Sequence, residues 1–429
     1  MNIPLNGRIA IVDDSIEQVQ PLFKILSKNQ IPYVFYKGND ISYLPDENSR
    51  YNDIRLLFLD INLIDDTATP NPKTVKAVLY SVLKRVISPN NFPYVIIFWS
   101  RHQQELSEIV TDLFDNSLSD RKPIAFNIFV KSDFFPNFGT EEVVPEVNLL
   151  EEIKKIIISN FSYSYLVDWE NKIHKSAERT LEDVFSSYHN FSNWSSNADS
   201  IVSKLGISYL GKSYESEEPK TRIKGSFKAL NVVFTDTLEK EINDKDVINP
   251  QKLLLDNSIN ISDTVYCINK KLLFSDDCNP IFYSGTVIII KPNRYNKEFE
   301  EVLDSVLTNK QKASEIINSM KKIWVNVTPL CDSVQSKIKY NRIVKGLMID
   351  AEYKKNWFLN NEAVFVSPIF NFEDKNYFMI LSFKYFFTIK NLGLSKKIRP
   401  VFRLRQHLLS EVQSKLSRHV NRQGILYIE

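Results

Sequence analysis

The sequence predicts an α/β domain built on a five-stranded parallel sheet, followed by a helical connector and a strand-rich α+β domain. Within the first 160 residues, short apolar runs alternate with helical patterns. These runs are apolar at nearly every position, which is typical of strands buried on both faces. After about residue 250, apolar runs follow one another with little helix between them. A parallel sheet with helices on both faces is a doubly wound domain.

Residues 1–160 contain five predicted strands separated by helices. Ser15 is the expected N-cap of the first helix, and a proline opens the second. The strands are RIAIVDDS (8–15), YVFYKG (33–38), DIRLLFLDINL (53–63), YVIIFWS (94–100) and PIAFNIFVKSD (123–133). The helices lie in 15–30, 72–88, 103–116 and 146–161.

Residues 161–250 are predicted to form a helical connector. A long helix spans 162–191, with an apolar face formed by Leu166, Trp169, Ile173 and Ala177. His174 lies on this helix and is interpreted as a surface or interface residue. A loop over 210–225 and a helix over 226–242 complete the connector.

Residues 251–429 are predicted to form an α+β domain with a small barrel or curled sheet. One helix is expected over 297–322, and an amphipathic helix over 401–420. The latter places Leu404, Leu408, Val412, Leu416 and Val420 in one i, i+4 row. The predicted strands are TVYCINKKLLF (264–274), GTVIIIKP (285–292), KIWVNVTPLCD (322–332), RIVKGLMID (342–350), AVFVSPIF (363–370) and YFMILSFKYFFTIK (377–390).

Composition favours a soluble cytoplasmic protein. The 54 basic and 52 acidic residues give a formal charge of +2, so the whole chain carries no signal for nucleic acid or membrane. Three scattered cysteines form neither a disulfide framework nor a zinc motif. The first residues do not resemble a signal peptide, and no apolar run reaches the length of a membrane span.

Polar residues stand at the ends of four of the five predicted strands. Asp13 and Asp14 follow the first strand, Asp60 the third, Ser100 the fourth and Lys131 the fifth. In doubly wound sheets, ligands bind beyond the carboxyl ends of the strands. Three carboxylates at one edge repel each other, and a divalent cation relieves that repulsion. Few ligands, all of them oxygens, indicate Mg²⁺.

This order of residues resembles the receiver domain of two-component response regulators. The resemblance implies a flavodoxin-like sheet of order 2-1-3-4-5 and a phosphoryl group accepted by Asp60 from a sensor histidine kinase. It also implies that Asp13 and Asp14 hold Mg²⁺ together with Asp60 and the backbone carbonyl of Asn62.

Two further roles follow from the same resemblance. The Ser100 hydroxyl would hydrogen-bond the acquired phosphoryl oxygens, and the Lys131 ammonium would pair with them. The sequence departs from the family at three places. Ser132 stands where a proline usually follows the lysine, Arg101 replaces a small residue, and Ile128 replaces an aromatic residue on strand five.

Two short segments, VTPLCDSVQ (327–335) and RLRQHLLSEVQSKLSRHVNRQGI (403–425), resemble the tail of large receiver proteins from bacterial anti-phage phosphorelays of the Detocs type. What this implies is a receiver that works beside a sensor histidine kinase and a second, effector-bearing receiver. In that setting it would drain phosphoryl groups and prevent accidental activation. A homodimer is also compatible with the sequence.

Other candidates lie in the C-terminal part. Cys331 beside Asp332 is interpreted as a buried cysteine next to a helix cap, because no histidine is nearby to activate the thiol. A basic cluster near the C-terminus is interpreted as a solvated helix face or a protein-binding surface, so nucleic acid is not an expected partner. The cluster consists of Arg399, Arg403, Arg405, Lys415, Arg418 and Arg422.

No P-loop, nucleophile elbow, HExxH pair or dinucleotide glycine motif occurs, so we expect no independent enzymatic activity. Three classes of function remain open. The first is a phosphoacceptor that relays or drains phosphoryl groups. The second is an effector with a C-terminal domain that binds or cleaves nucleic acid, and the third is a scaffold whose receiver is not phosphorylated.

Overall fold

The structure is a computed structural model, and its chain divides into two compact units. The N-terminal unit comprises Met1–Ala198 and Leu230–Leu254, and the C-terminal unit comprises Asp199–Ala229 and Leu255–Glu429. The described residues are 8–47, 54–61, 63, 72–89, 91, 93–100, 106–134, 147–186, 193–243, 262–278, 282–290, 297–304, 307, 313–334, 338–356, 362–390 and 398–421.

The N-terminal unit contains a five-stranded parallel sheet. Its order is β2-β1-β3-β4-β5, and all four pairings are parallel. The predicted fold class, with strand order 2-1-3-4-5 and a strand-rich region after it, is therefore confirmed. The strands are β1 (Ile9–Asp13), β2 (Tyr33–Lys37), β3 (Leu56–Asp60), β4 (Val95–Ser100) and β5 (Ala125–Val130).

Helices cover both faces of this sheet. Successive residues of a strand point to opposite faces, so Leu57 and Leu59 pack with α2 and α3, while Leu56 and Phe58 pack with α1, α5 and α6. Because both faces of the sheet are covered, its strands must be apolar at nearly every position. The helices are α1 (Ile16–Lys28), α2 (Pro72–Val86), α3 (Leu106–Asp112), α4 (Lys131–Phe134), α5 (Val147–Ser159) and α6 (Phe161–Ser186).

A largely buried ion triad links α6 to the amino ends of β1 and β3. The Glu170 carboxylate on α6 lies 2.5 Å from Arg8 Nη1 and 3.0 Å from Arg55 Nη2, and all three side chains are at most 18% exposed. Tyr163, also on α6, donates a hydrogen bond to the Arg55 carbonyl. The triad lies at the edge of the sheet opposite to Asp13 and Asp60.

The apolar face predicted for the 162–191 helix is only partly buried in α6. Leu166 and Trp169 are exposed, and Ile173 is half-buried. The residues that do pack on the sheet include Tyr163 and Val167. The side of the helix that faces the core was therefore predicted wrongly, because Tyr163 and the polar Ser164 take buried positions.

Two further helices follow, α7 (Trp194–Leu210) and α8 (Pro219–Asn243). The loop predicted over 210–225 is shorter than expected, because Pro219 starts α8 and a 3₁₀ turn occupies Gly211–Ser216. Gly225 lies inside α8 and is buried, since a Cβ there would come within 2.9 Å of the Leu210 side chain. It serves close helix packing.

The C-terminal unit contains an eight-stranded antiparallel sheet of order β10-β12-β9-β8-β7-β13-β6, with β11 paired to β12. Two apolar clusters cover its faces, one of which includes α13 and the other α10 and α11. The strands are β6 (Phe274–Ser275), β7 (Thr286–Ile290), β8 (Lys321–Asn326), β9 (Tyr340–Asp350), β10 (Val364–Val366), β11 (Phe370–Phe372), β12 (Lys375–Lys390) and β13 (Ile398–Leu404). The helices are α9 (Ser262–Leu273), α10 (Lys297–Asp304), α11 (Ala313–Ser319), α12 (Leu330–Val334) and α13 (Gln406–Val420).

The strand predicted over 264–274 is wrong, because this segment forms α9 and only Phe274 begins a strand. Its β-branched and aromatic residues favour a strand, but its spacing of Val265, Ile268 and Leu272 is helical. Docking on β11 fixes the helix through Asn269, whose Nδ2 donates to the Ile369 carbonyl at 2.7 Å.

Two predicted helices are also wrong in extent. The segment 297–322 forms two helices, α10 and α11, instead of one. Leu307 lies between them in sequence and is buried. The segment 401–420 forms the end of β13 and then α13, so Leu404 belongs to the strand. At the far end of the predicted row, Val420 is 60% exposed.

Gly346 lies where β9 leaves no room for a Cβ. A Cβ at this position of β9 would lie 2.4 Å from the Ile380 carbonyl oxygen on β12. We expect Gly346→Ala to lower the free energy of unfolding of this unit by about 1–3 kcal/mol, the usual effect of overpacking. Urea unfolding of the full chain measures it. An unchanged midpoint would show that β9 and β12 separate easily.

Among the described helices, none combines the length and apolar character needed to cross a bilayer.

Candidate metal-binding site at the N-terminal sheet

The carboxyl ends of the parallel strands bring the strand-end residues together. Asp13 is the last residue of β1 and Asp60 the last of β3, while Lys131 follows β5 directly as the first residue of α4. β1 and β3 are neighbours, and β4 separates β3 from β5. The long Lys131 side chain bridges that separation.

Lys131 lies at the centre of the site. Its Nζ donates to Asp13 Oδ2 at 2.8 Å, to Asp60 Oδ2 at 2.7 Å and to Gln18 Oε1 at 2.9 Å. The ammonium is 1% exposed, and these three acceptors match its three hydrogens. A buried ammonium is stable only when it is paired in this way.

The pKa of the Asp13 carboxyl is shifted by its surroundings. Burial and the neighbouring Asp60 carboxylate raise the pKa of Asp13 to about 7, although the Lys131 ammonium lowers it. The Ser15 backbone N–H also donates to Asp13 Oδ1, at 2.9 Å. The Lys131 ammonium therefore does not bring the pKa of Asp13 back to its usual range, and a cation bound beside Asp13 would lower it.

Asp14 completes an acidic cluster with Asp13 and Asp60. One carboxylate oxygen from each lies within 4.8 Å of the others. Oxygens on opposite sides of Mg²⁺ are about 4.2 Å apart, so a small movement of these side chains would bring all three to the ion. Asp13 and Asp60 are buried and Asp14 is half-buried, which leaves one side open to solvent. The donor set fits Mg²⁺.

Several predicted site groups lie outside the described residues. These are Asn62 with its backbone carbonyl, Arg101 and the Ser100 side chain, although Ser100 itself ends β4 as predicted. Ser132 is exposed on α4, and Ile128 packs partly against the core on the α2 side of the sheet.

Gln18 is a site residue that sequence reasoning missed. It lies in the first turn of α1, four residues after Asp14, and accepts a hydrogen bond from Lys131. Its position in the sequence could have indicated this role. The first turn of a helix that directly follows β1 must lie near the carboxyl edge of the sheet. Gln18 holds the ammonium between the two buried carboxylates.

Aromatic packing fixes the short helix that carries Lys131. Phe134 at the end of α4 stacks on Trp99 of β4, with centroids 6.1 Å apart and planes at 16°. It also contacts Phe129, with centroids 5.0 Å apart. Trp99 belongs to the core beneath α5 and α6, so the position of Lys131 is tied to that core.

Candidates in the C-terminal part do not form a comparable site. The prediction of a buried Cys331 is wrong, because the strand ends at Asn326 and Cys331 is exposed on α12. Cys331 Sγ lies 3.8 Å from Asp332 Oδ1.

The predicted basic cluster is divided between β13 and α13. Arg399 pairs with Glu373 at 2.9 Å, and Arg403 lies 3.4 Å from Asp277. Arg405 donates to backbone carbonyls. Lys415 and Arg418 lie on α13, and Arg422 is outside the described residues.

Comparisons with known proteins do not assign the chain to a family. No protein-family profile and no curated protein matches it. A solved structure of the response regulator RcsB of Salmonella typhimurium is similar at 15% identity, over 52% of this chain and 98% of that chain, with a TM-score of 0.21. A likeness at this TM-score supports no conclusion about fold or function. The sheet order and the site geometry are the observations on which a functional proposal rests.

Proposed function

We propose that the chain is a response-regulator-like phosphoacceptor, with Asp60 as the residue that takes the phosphoryl group. The observation that carries the proposal is the meeting of three carboxylates and a buried lysine at the carboxyl edge of a parallel sheet of order 2-1-3-4-5. A structural ion pair needs one carboxylate for each lysine. Three carboxylates are instead suited to sharing a metal ion with a phosphoryl group.

In the proposed step, a carboxylate oxygen of Asp60 attacks phosphorus in a phosphohistidine of a kinase. The P–N bond breaks, the imidazole leaves with its electron pair, and an acyl phosphate forms on Asp60. Lys131 Nζ, now 2.7 Å from Asp60 Oδ2, is placed to pair with the incoming phosphoryl oxygens. Ser100 is proposed to hydrogen-bond the same oxygens.

A Mg²⁺ ion bound by Asp13, Asp14 and Asp60 would neutralise the charge that spreads over the phosphoryl oxygens during transfer. Asp13 keeps its hydrogen bonds from Ser15 and Lys131, which orient its carboxylate. Gln18 keeps the third hydrogen of the ammonium occupied, so that Lys131 stays at the site.

The biological role proposed is a relay or sink for phosphoryl groups in an anti-phage phosphorelay of the cytoplasm. What supports it is the likeness of 327–335 and 403–425 to Detocs-type receivers, together with the absence from the sequence of a known catalytic motif. A sensor histidine kinase and a second, effector-bearing receiver are the partners proposed. The chain itself would then have no independent enzymatic activity.

Incubation with acetyl phosphate and Mg²⁺, followed by intact-mass measurement, tests the proposal. We expect the full chain to gain the mass of one phosphoryl group and Asp60→Asn to gain none. Asp133→Asn is the matched control, because Asp133 is an exposed carboxylate two residues after Lys131. Equal mass gain in the wild type and Asp60→Asn would refute Asp60 as the acceptor.

Mg²⁺ alone should stabilise the protein. A ligand that binds only the folded state raises its stability by mass action, by about 2.7 kcal/mol at a hundredfold excess over Kd. We expect millimolar MgCl₂ to raise the melting temperature of the wild type but not of Asp13→Asn. Calorimetry with NaCl at equal ionic strength checks the result. A rise of the same size in Asp13→Asn would place the ion elsewhere.

A further inference from the structure

The near-neutral net charge conceals opposite charges on the two units. The N-terminal unit has 22 basic and 31 acidic residues, a formal charge of −9. The C-terminal unit has 32 basic and 21 acidic residues, a formal charge of +11. Strong asymmetry between parts of a chain is a sign of a charged macromolecular partner. The basic unit therefore has the sign expected of a protein that binds a polyanion.

One helical face of the C-terminal unit concentrates this charge. Lys220, Lys224 and Lys228 occupy successive i, i+4 positions in the first half of α8, and all three are exposed. We call them the lysine row. A rise of 1.5 Å per residue spreads the row over about 12 Å. Within the described residues, no carboxylate forms a salt bridge with any of the three.

The packing of α8 on α7 fixes the orientation of the row. Gly206 of α7 lies so close to α8 that a Cβ there would come within 3.0 Å of the Arg222 carbonyl oxygen. Ser226 Oγ donates to the Val202 carbonyl at 2.7 Å. The row is therefore carried by one of two closely packed helices. A ligand that binds it does not have to order the backbone.

A fourth cation from the sheet extends the row. Arg403 of β13 lies over the Tyr283 ring at 4.8 Å, and Lys228 Nζ lies over the Tyr209 ring at 5.4 Å. The hydroxyls of the two tyrosines share a hydrogen bond. Burial lowers the pKa of Lys228, and so do the nearby charges of Arg403 and Lys224, while Asp277 opposes them.

The lysine row is unfavourable by itself, whereas Arg403 is paired with Asp277 at 3.4 Å. Like charges at i, i+4 each cost a few tenths of a kcal/mol, and the helix dipole makes cations unfavourable in a first turn such as that of Lys220. The nearest carboxylates in sequence, Glu217 and Glu218, precede the helix at one end of the row. Lys224 and Lys228 lie beyond them.

We propose that the lysine row and Arg403 form a binding surface for the phosphodiester backbone of a nucleic acid. A single phosphate contacts one or two cations, whereas a row of about 12 Å matches a ligand with several linked phosphates. The charge of +11 on this unit has the sign that favours such a polymer, and contacts to phosphates do not require a particular base sequence. This surface shares no residue with the acidic site at Asp60, and the proposal does not rest on phosphorylation of Asp60.

Fluorescence anisotropy of the full chain with labelled duplex DNA and labelled single-stranded RNA tests this proposal over a range of KCl concentrations. The test variant carries Lys220→Gln, Lys224→Gln and Lys228→Gln. The control carries Lys271→Gln, Lys375→Gln and Lys384→Gln, which remove the same charge from exposed positions of the same unit. Circular dichroism checks that both variants are folded.

We expect salt-dependent binding whose log–log slope falls by about three in the row variant, about one for each phosphate that a lysine no longer neutralises. Its affinity at low salt should fall about tenfold or more, and the control should lose much less. Equal losses of affinity in both variants would contradict the proposed binding surface. So would absence of nucleic-acid binding at low salt, preferential binding to phosphatidylserine vesicles, or salt-sensitive self-association in place of DNA or RNA binding.

Discussion

Lys131→Met should lower the free energy of unfolding of the N-terminal unit by about 3–5 kcal/mol, the usual cost of removing one partner from a buried ion pair. Lys131 donates to both Asp13 and Asp60, which are 1% and 4% exposed. Methionine fills a similar volume but removes the ammonium that donates to both carboxylates. Urea unfolding in the presence of EDTA measures the loss.

Lys122→Met is the control for this substitution. Lys122 pairs with Asp115, but the two side chains are 59% and 47% exposed, so its removal should change stability by less than about 1 kcal/mol. Added Mg²⁺ should restore part of the loss in Lys131→Met, since the ion replaces the missing positive charge. Equal losses in the two variants would show that Lys131 is no more important than a surface lysine.

Glu170→Gln should also destabilise the N-terminal unit, by about 2–4 kcal/mol, because it leaves the buried Arg8 and the half-buried Arg55 without the Glu170 carboxylate. Glutamine keeps the shape of the side chain and can accept only part of the hydrogen bonding. The loss tests whether α6 is fastened to the sheet through this triad. Urea unfolding of the full chain is again the measurement.

Glu152→Gln is the matched control for the triad. Glu152 pairs with Lys155 on the exposed side of α5, where the two side chains are 43% and 69% exposed. We expect a change below about 0.5 kcal/mol, as for other exposed i, i+3 pairs. A comparably small effect of Glu170→Gln would mean that apolar contacts hold α6 in place.

The N-terminal sheet could be predicted from sequence because its constraints are local. Strands buried on both faces must be apolar, and in β1 and β3 the apolar run stops at Asp13 and Asp60, which are themselves buried. A parallel sheet then brings such ends to one edge without further information. Gln18 escaped prediction, because only the path of the Lys131 side chain makes it a partner.

The C-terminal unit was harder to predict because its local and tertiary preferences conflict. Residues 264–274 carry strand-forming residue types, yet docking on β11 makes them helical. Gly225 looked like a loop residue and instead lies where two helices pack together. The lysine row escaped prediction because Lys220 and Lys224 fell in the same predicted loop and Lys228 in the helix predicted after it. The charge of its unit was masked by the opposite charge of the other unit.

Borohydride reduction of the protein phosphorylated with acetyl phosphate, followed by peptide mass spectrometry, tests the central claim most directly. Reduction converts an aspartyl phosphate to homoserine and so marks the residue that carried it. We predict homoserine at position 60 in the presence of Mg²⁺ and unmodified Asp60 in EDTA. Homoserine at another aspartate, or at Asp60 in equal amount with and without the metal, would contradict a cation-dependent phosphoacceptor at this site.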